Sequence, residues 1–204
     1  RGELIASGPV TETLGARFGV LYSRADGYFR NNATAVPGTG GMTPEHTRIS
    51  RPRNFVARAT LLWKPVDGLT ARLKINHAYD HSTNAELKQL ASCPDGRGRA
   101  FVPFPPLAAV PFIANDDCRL NRDASTIYMD PASFPGVPNG GVPYLKNIQD
   151  YGTLDLSYDL SPEINLTSTT AYYKLRSSSL VNPSGSSAAG PAFAVTNRFS
   201  RREF

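Results

Sequence analysis

Two runs of strict two-residue alternation, joined by one tight turn, constrain this chain more than any other feature. From Phe55 to Lys64, Phe55, Ala57, Ala59, Leu61 and Trp63 fall on one side, and Val56, Arg58, Thr60, Leu62 and Lys64 on the other. From Leu69 to Asp80, Leu69, Ala71, Leu73, Ile75, His77 and Tyr79 share one side, opposite Thr70, Arg72, Lys74, Asn76, Ala78 and Asp80. A period of two is that of a β-strand with two unlike faces. Pro65-Val66-Asp67-Gly68 between them carries the Asp-Gly signature of a hairpin turn. The sequence therefore predicts a long antiparallel hairpin, and helical periodicity is nearly absent elsewhere. The one short helical candidate is Asn84 to Ala91.

The same plan recurs. Leu14, Ala16, Phe18, Val20 and Tyr22 alternate after a turn expected at Ser7-Gly8-Pro9-Val10, which follows a strand over residues 1–6. Leu154, Leu156, Tyr158 and Leu160 alternate with Thr153, Asp155, Ser157 and Asp159, and Ser161-Pro162-Glu163 turns the chain into a Thr- and Ser-rich strand from Ile164 to Leu175. A seventh strand is expected from about Val195.

Connection lengths alternate too. Short turns fall near 8–13, 65–68 and 161–163, and long loops near 27–50, 85–147 and 180–195. The middle loop holds nine of the 17 prolines. A compact soluble domain rarely carries so long a loop, whereas membrane barrels pair short turns on one side with long loops on the other. The predicted strands exceed the usual soluble length of about 5–6 residues and match the roughly 9–11 needed to cross a hydrocarbon layer at a tilt. Aromatics mark both ends of the apolar faces, Trp63 and Tyr158 toward the short turns, Tyr22, Phe55 and Tyr79 toward the long loops. Two such girdles are what membrane interfaces select. The opposite faces place Arg58, Lys64, Arg72, Lys74, Asn76, Asp80, Asp155 and Asp159 together. A dry core does not take that many charges; a wet lumen, or one filled by a polar plug, does. The fold expected is thus all-β: an antiparallel up-and-down transmembrane β-barrel segment of about seven strands, with an incomplete barrel. A large soluble β-sandwich uses the same alternation and is the competing architecture.

Composition narrows function by exclusion. No 18-residue apolar run exists, so no helix is expected to span a membrane. A formal charge of +5 raises nucleic-acid binding as a possibility, but the arginines are scattered from Arg1 to Arg202, without a basic helix or an RNA-binding signature, so none is expected. No Gly-x-Ser-x-Gly, phosphate loop or HExxH occurs, and the chain is not expected to be an enzyme. Cofactors and resident metals are likewise not expected. His77 and His81 share a face but lie about 13 Å apart on a strand, too far to hold one ion. His46 beside Glu45 has no evident partner. Asp116, Asp117, Asn121 and Asp123 near Cys118 lack the spacing of a calcium loop and read as a solvated acidic stretch. Cys93 and Cys118, an even pair in a Pro-rich loop, are expected to form a disulfide in an oxidising compartment. In the loops, Tyr28-Phe29 and Phe101 with Phe104 are candidates to touch a hydrophobic or planar ligand. Arg58, Arg72, Lys74 and Asp80 are the matching candidates on the polar face.

Residues 8–31 (GPVTETLGARFGVLYSRADGYFRN), 57–76 (ARATLLWKPVDGLTARLKIN) and 166–175 (LTSTTAYYKL), with FSRREF at the end, resemble the barrel region of TonB-dependent outer-membrane receptors. The resemblance spans nearly the whole chain and rests on strand-and-turn phrases. It implies a bacterial outer-membrane location, a barrel of about 22 strands and a plug domain inside it. It further implies import of a scarce solute such as a ferric siderophore, cobalamin or an oligosaccharide. The partners implied are outer-membrane lipid, the solute, and the TonB complex acting through an N-terminal region that this chain lacks. Phe204 sits where a terminal barrel aromatic would, but Arg202, Ser200 and Arg198 break the alternation before it, so an internal fragment is expected. Such a piece leaves unpaired edges and is expected to aggregate in water. A passive porin-like or surface barrel and a secreted β-sandwich binding module are the alternative functions.

Overall fold

A computed structural model describes residues 1–35, 37–38, 40–83, 121–124, 126–182 and 195–204. The elements in chain order are β1 (Gly2–Pro9), β2 (Leu14–Arg24), β3 (Phe29–Asn31), β4 (Gly41–Met42), β5 (Arg48–Ile49), β6 (Arg51–Trp63), β7 (Leu69–Thr83), β8 (Asp123–Ala124), β9 (Tyr128–Met129), a 3-10 turn at Pro138–Gly141, β10 (Tyr144–Ser161), β11 (Ile164–Val181) and β12 (Val195–Glu203). Among the described residues the fold is all-β apart from that turn.

Seven long strands form one sheet in the order β1-β2-β6-β7-β10-β11-β12. Every neighbouring pair is antiparallel. Leaving aside the short strands of the loops, this is the order of the sequence, an up-and-down meander. Among the described residues the sheet stays open, with β1 and β12 as its edges.

The register keeps like faces together, because directly opposed residues point the same way. Phe55 lies opposite Tyr22 and Tyr79, Leu61 opposite Ala16 and Leu73, and Leu154 opposite Leu73 and Thr170. The sheet thus has one apolar and one polar face, as the alternation predicts. It has almost no interior. On the apolar face Trp63 is 49% exposed and Leu166 is 62% exposed. Buried hydrophobic residues gather instead at the long-loop end. There Ala33, Ile127, Met129 and Leu180 pack together with Phe134, Val137 and Tyr144 against them.

The turns are short and locally determined. Between β1 and β2, the Thr11 hydroxyl accepts the Thr13 and Leu14 amides at 3.3 and 3.1 Å. Between β6 and β7, the Leu69 amide bonds the Val66 carbonyl, and the Gly68 carbonyl accepts the Asp159 amide at 3.0 Å. Gly68 has φ +80°, and a Cβ there would meet the Asp159 carbonyl at 3.3 Å, so the turn needs the residue it has.

Several boundaries depart from expectation. β1 runs to Pro9, so its turn lies at residues 10–13 rather than at Ser7–Val10. β10 begins at Tyr144, within the loop expected to last until 147, and β11 reaches Val181, past the expected start of the third long loop. Both strands are longer because pairing with their neighbours continues where alternation fails. The largest difference is the unexpected order in the loops. β3 pairs antiparallel with β5 and parallel with β8, while β4 pairs with β9. The first loop and the last part of the second are thereby knitted into a small cap. No described helix is long and apolar enough to cross a membrane, which says nothing about crossing by strands. The helical candidate at 84–91 lies outside the described residues.

Candidate functional site: the concave polar face

Register, more than local sequence, assembles the polar face. Arg17, Thr60, Lys74 and Thr153 form one row across β2, β6, β7 and β10. The next row toward the long loops holds Gly19, Arg58, Asn76, Tyr151 and Tyr173. The next toward the turns holds Leu62, Arg72, Asp155 and Thr169. Short side chains such as Gly19 and Thr60 between the long basic ones leave room. A hollow of about 720 Å³ results, lined among others by Glu3, Arg17, Arg58, Lys74, Asn76 and Tyr151.

The charges of this face are partly paired. The Arg58 Nε donates to the Asn76 Oδ1 at 2.7 Å, and Asn76 is buried. The Arg72 guanidinium reaches Asp155 Oδ2 through two nitrogens at 3.1 and 2.9 Å, and the Thr169 hydroxyl donates to the other carboxylate oxygen at 3.1 Å. Arg17 and Lys74 make no ion pair among the described residues, and the acids nearest in the rows are Glu3 and Asp155. The floor of the hollow is therefore net positive. It suits water, an anionic solute or an acidic protein surface.

Of the residues singled out from sequence, Arg58, Arg72, Lys74, Asn76 and Asp155 come together here. Asp80 lies on the same face, further toward the loops, opposite Asn54 and Asn147. Asp159 lies near the turns, and Lys64 falls just beyond the end of β6. Tyr22, Phe55 and Tyr79 form one row on the apolar face, while Trp63 and Tyr158 sit one row apart at its turn end.

The loop aromatics part company. Phe29 is half-buried in β3 opposite Ile49. Tyr28 is 58% exposed, meets Phe29 edge-on at 5.2 Å and carries the Arg122 guanidinium over its ring at 4.6 Å. Tyr28 stays open to solvent, and Phe29 packs in the cap. Phe101 and Phe104, the Cys93–Cys118 pair, and Asp116 and Asp117 lie outside the described residues. Among the described residues no group of three or more His, Cys, Asp or Glu is placed to hold a metal ion.

Sequence reasoning missed Tyr151 and Arg17 as parts of the hollow. Arg17 was legible, since it is out of phase with Ala16 and Phe18. Tyr151 was not, because β10 around it reads Ile148-Gln149-Asp150-Tyr151-Gly152 without alternation. It also missed a polar knot on the otherwise apolar face: His77 Nδ1 lies 2.6 Å from Asp150, which Arg176 approaches at 3.6 Å.

No protein-family model, no curated protein and no solved structure matches this chain.

Proposed function

We propose that this chain is a stretch of wall from an outer-membrane β-barrel that imports a scarce solute, with the concave polar face lining the lumen and the apolar face against lipid. One observation carries the reading: a sheet of seven long antiparallel strands leaves its apolar face exposed and its charged face concave. In water that arrangement is inverted, since exposed contiguous apolar surface is costly and needs a cover. The described residues put no second sheet over it, which disfavours a β-sandwich. In a bilayer the same arrangement is the stable one, provided the edges are closed by further strands.

The apolar band also runs obliquely. On β2 and β6 it extends to Tyr22 and Phe55. On β10 charge appears at Asp150, one row nearer the turns, while apolar residues continue to Leu160, two rows past the row of Trp63. A slide of one to two rows over three strand steps corresponds to a slope of roughly 25–45°, taking about 6.7 Å per row and 4.8 Å per strand. Membrane barrel strands tilt by about 35–45°, so a level hydrocarbon layer would cut the sheet in this way.

The energy source comes from the resemblance to TonB-dependent receptors: a plug in the lumen, moved by TonB, releases solute captured by the loops. The net positive floor fits an acidic plug surface or an anionic solute such as a ferric siderophore.

The test is labelling from the two sides. With Cys93 and Cys118 replaced by Ser, single cysteines at Leu61, Ile75 or Leu154 should resist a water-soluble maleimide in bilayers and be reached by a lipid-borne quencher. Cysteines at Arg58 or Lys74 should show the reverse. Equal labelling of both faces in a detergent-free, monodisperse protein would sink the barrel. Solute uptake by the native protein that survives collapse of the proton gradient would replace the TonB-driven importer with a passive pore.

A further inference from the structure

At the long-loop end the two faces of the sheet are covered unequally. The register of β10 with β7 and β11 runs without a bulge from Tyr144 to Tyr158. Along these strands the face of a residue therefore follows its parity. Tyr144 and Leu180, opposite each other in the last row, stand on the side of Leu154 and Tyr158, read above as lipid-facing. Leu145 and Ser179, likewise opposed, stand on the side of Tyr151 and Thr153, which line the hollow.

The cap sits on the first of these sides. Leu180 is fully buried in one group with Ala33, Ile127 and Met129, and Tyr144 packs against that group. Asn182, just beyond β11, is fully buried and donates its Nδ2 to the Ile127 carbonyl at 3.2 Å. His81 stacks between Tyr79 and Tyr144 at 6.3 and 6.1 Å, so a column of rings leads from the aromatic row up to the cap. Leu145, by contrast, is 38% exposed. A cap folded over the hollow would cover Leu145 and leave Leu180 open. The residues explain the choice. On the outer side the last row offers Tyr144 and Leu180 as apolar anchors, whereas the inner side holds the row Asn54, Asp80 and Asn147. A core of Ile127 and Met129 gains burial only against the former. The packing is also tight: a Cβ at Gly141 would overlap the Met129 carbonyl.

We infer that the cap is a fixed outer shelf, seated outside the barrel mouth rather than over it. The inference rests on the barrel reading, which makes the hollow side the lumen. The first long loop and the end of the second then brace the strand ends from outside, and solute capture belongs to other loops. Tyr28, carried on the cap, takes no part in it. Along this arc the mouth is bordered by Asn54, Asp80 and Asn147, with Leu145 above them. Two amides and one carboxylate meet an entering solute before the basic floor does.

The test uses the full-length protein in intact cells, with Cys93 and Cys118 replaced by Ser and one cysteine placed at Leu145, Leu180 or Ile75. A small water-soluble maleimide should modify Leu145→Cys and spare the other two. Ile127→Asp unseats the cap by burying an unpaired carboxylate. It should raise the rate at Leu180→Cys by about a hundredfold and leave Leu145→Cys unchanged. Asn182→Ala removes only the bond to Ile127 and should raise the rate at Leu180→Cys about fivefold; it decides the matter if the first variant does not reach the membrane. A rate at Leu145→Cys that climbs together with that at Leu180→Cys puts the cap over the mouth and overturns the shelf, while the barrel stands. No rise at Leu180→Cys in either variant overturns it too. So does a Leu145→Cys closed to the reagent in every background, since the inner rim would then border no open mouth. Fast modification of Ile75→Cys with the cap intact removes the barrel reading, and the shelf with it.

Discussion

The sheet and the cap at its long-loop end are built by opposite rules. In the cap, Ile127 is 1% exposed and Met129 is not exposed at all, and the buried amides of Asn31 and Asn182 are hydrogen-bonded. Asn31, for example, donates its Nδ2 to the Thr126 carbonyl and accepts the amides of Thr126 and Ala33. That is how a chain folds in water: apolar inside, buried polar groups paired. In the sheet, large apolar side chains stand outside and charges line the hollow. One chain carries both designs. The cap owes its stability to burial, whereas the sheet is held by backbone pairing and leaves its apolar face uncovered among the described residues.

The largest effect should separate them. Ile127→Ala removes a fully buried side chain from the small cap core, and such truncations cost about 2–5 kcal/mol. Hydrogen exchange at Asn32 and Ala33 should accelerate strongly while the amides of β6 and β7 stay protected. Matching acceleration in both regions would show that cap and sheet unfold together, and the comparison would break.

Next comes a change that the sheet alone should feel. Leu154 sits mid-band on the apolar face, opposite Leu73 and Thr170. Leu154→Arg should cost about 2–4 kcal/mol of stability in a bilayer, read from urea unfolding of the inserted protein. Thr153→Arg, its neighbour on the polar face, should cost much less. An equal penalty at both sites would mean that the two faces meet the same solvent.

How much of this was legible follows from the same division. β2, β6 and the lower part of β7 were readable because one of their faces is apolar and the other polar, which writes a period of two into the sequence. The upper part of β10 was hidden because Asp150 and Lys146 stand on the otherwise apolar side. The apolar face of β11 was ambiguous because Ser168 and Thr170 occupy it. The cap was illegible for another reason. Its strands are two or three residues long, and pairings such as Arg30 with Asp123 join segments more than 90 positions apart; no local pattern encodes them. At the site, parity alone placed Arg58, Arg72 and Lys74 on one face. That Arg72 meets Asp155, 83 positions away, needed the register.

A smaller effect sharpens the comparison at the turn end. Gly68→Ala forces an L-residue into a left-handed conformation beside the Asp159 carbonyl. The expected cost is about 1–2 kcal/mol, seen as faster exchange of the Leu69 and Asp159 amides with no change in the cap. An unchanged exchange rate at both amides would mean that the turn relaxes into another type.

The smallest effect should come from the most conspicuous ion pair. Arg72 and Asp155 make a two-nitrogen contact, yet both side chains reach solvent in a smaller recess on the turn side of the hollow. Pairs in water return little stability, because hydration and side-chain entropy offset the attraction. Arg72→Gln should therefore leave the unfolding midpoint unchanged within error, in bilayers as in detergent. What should change is the charge of the polar face: Asp155 loses its partner, the face becomes less positive, and retention of an anionic solute or a polyanion on it should fall and become less sensitive to salt. A clear loss of stability in R72Q would mean that the pair is shielded from water, and that the polar face is a covered core rather than a wet wall.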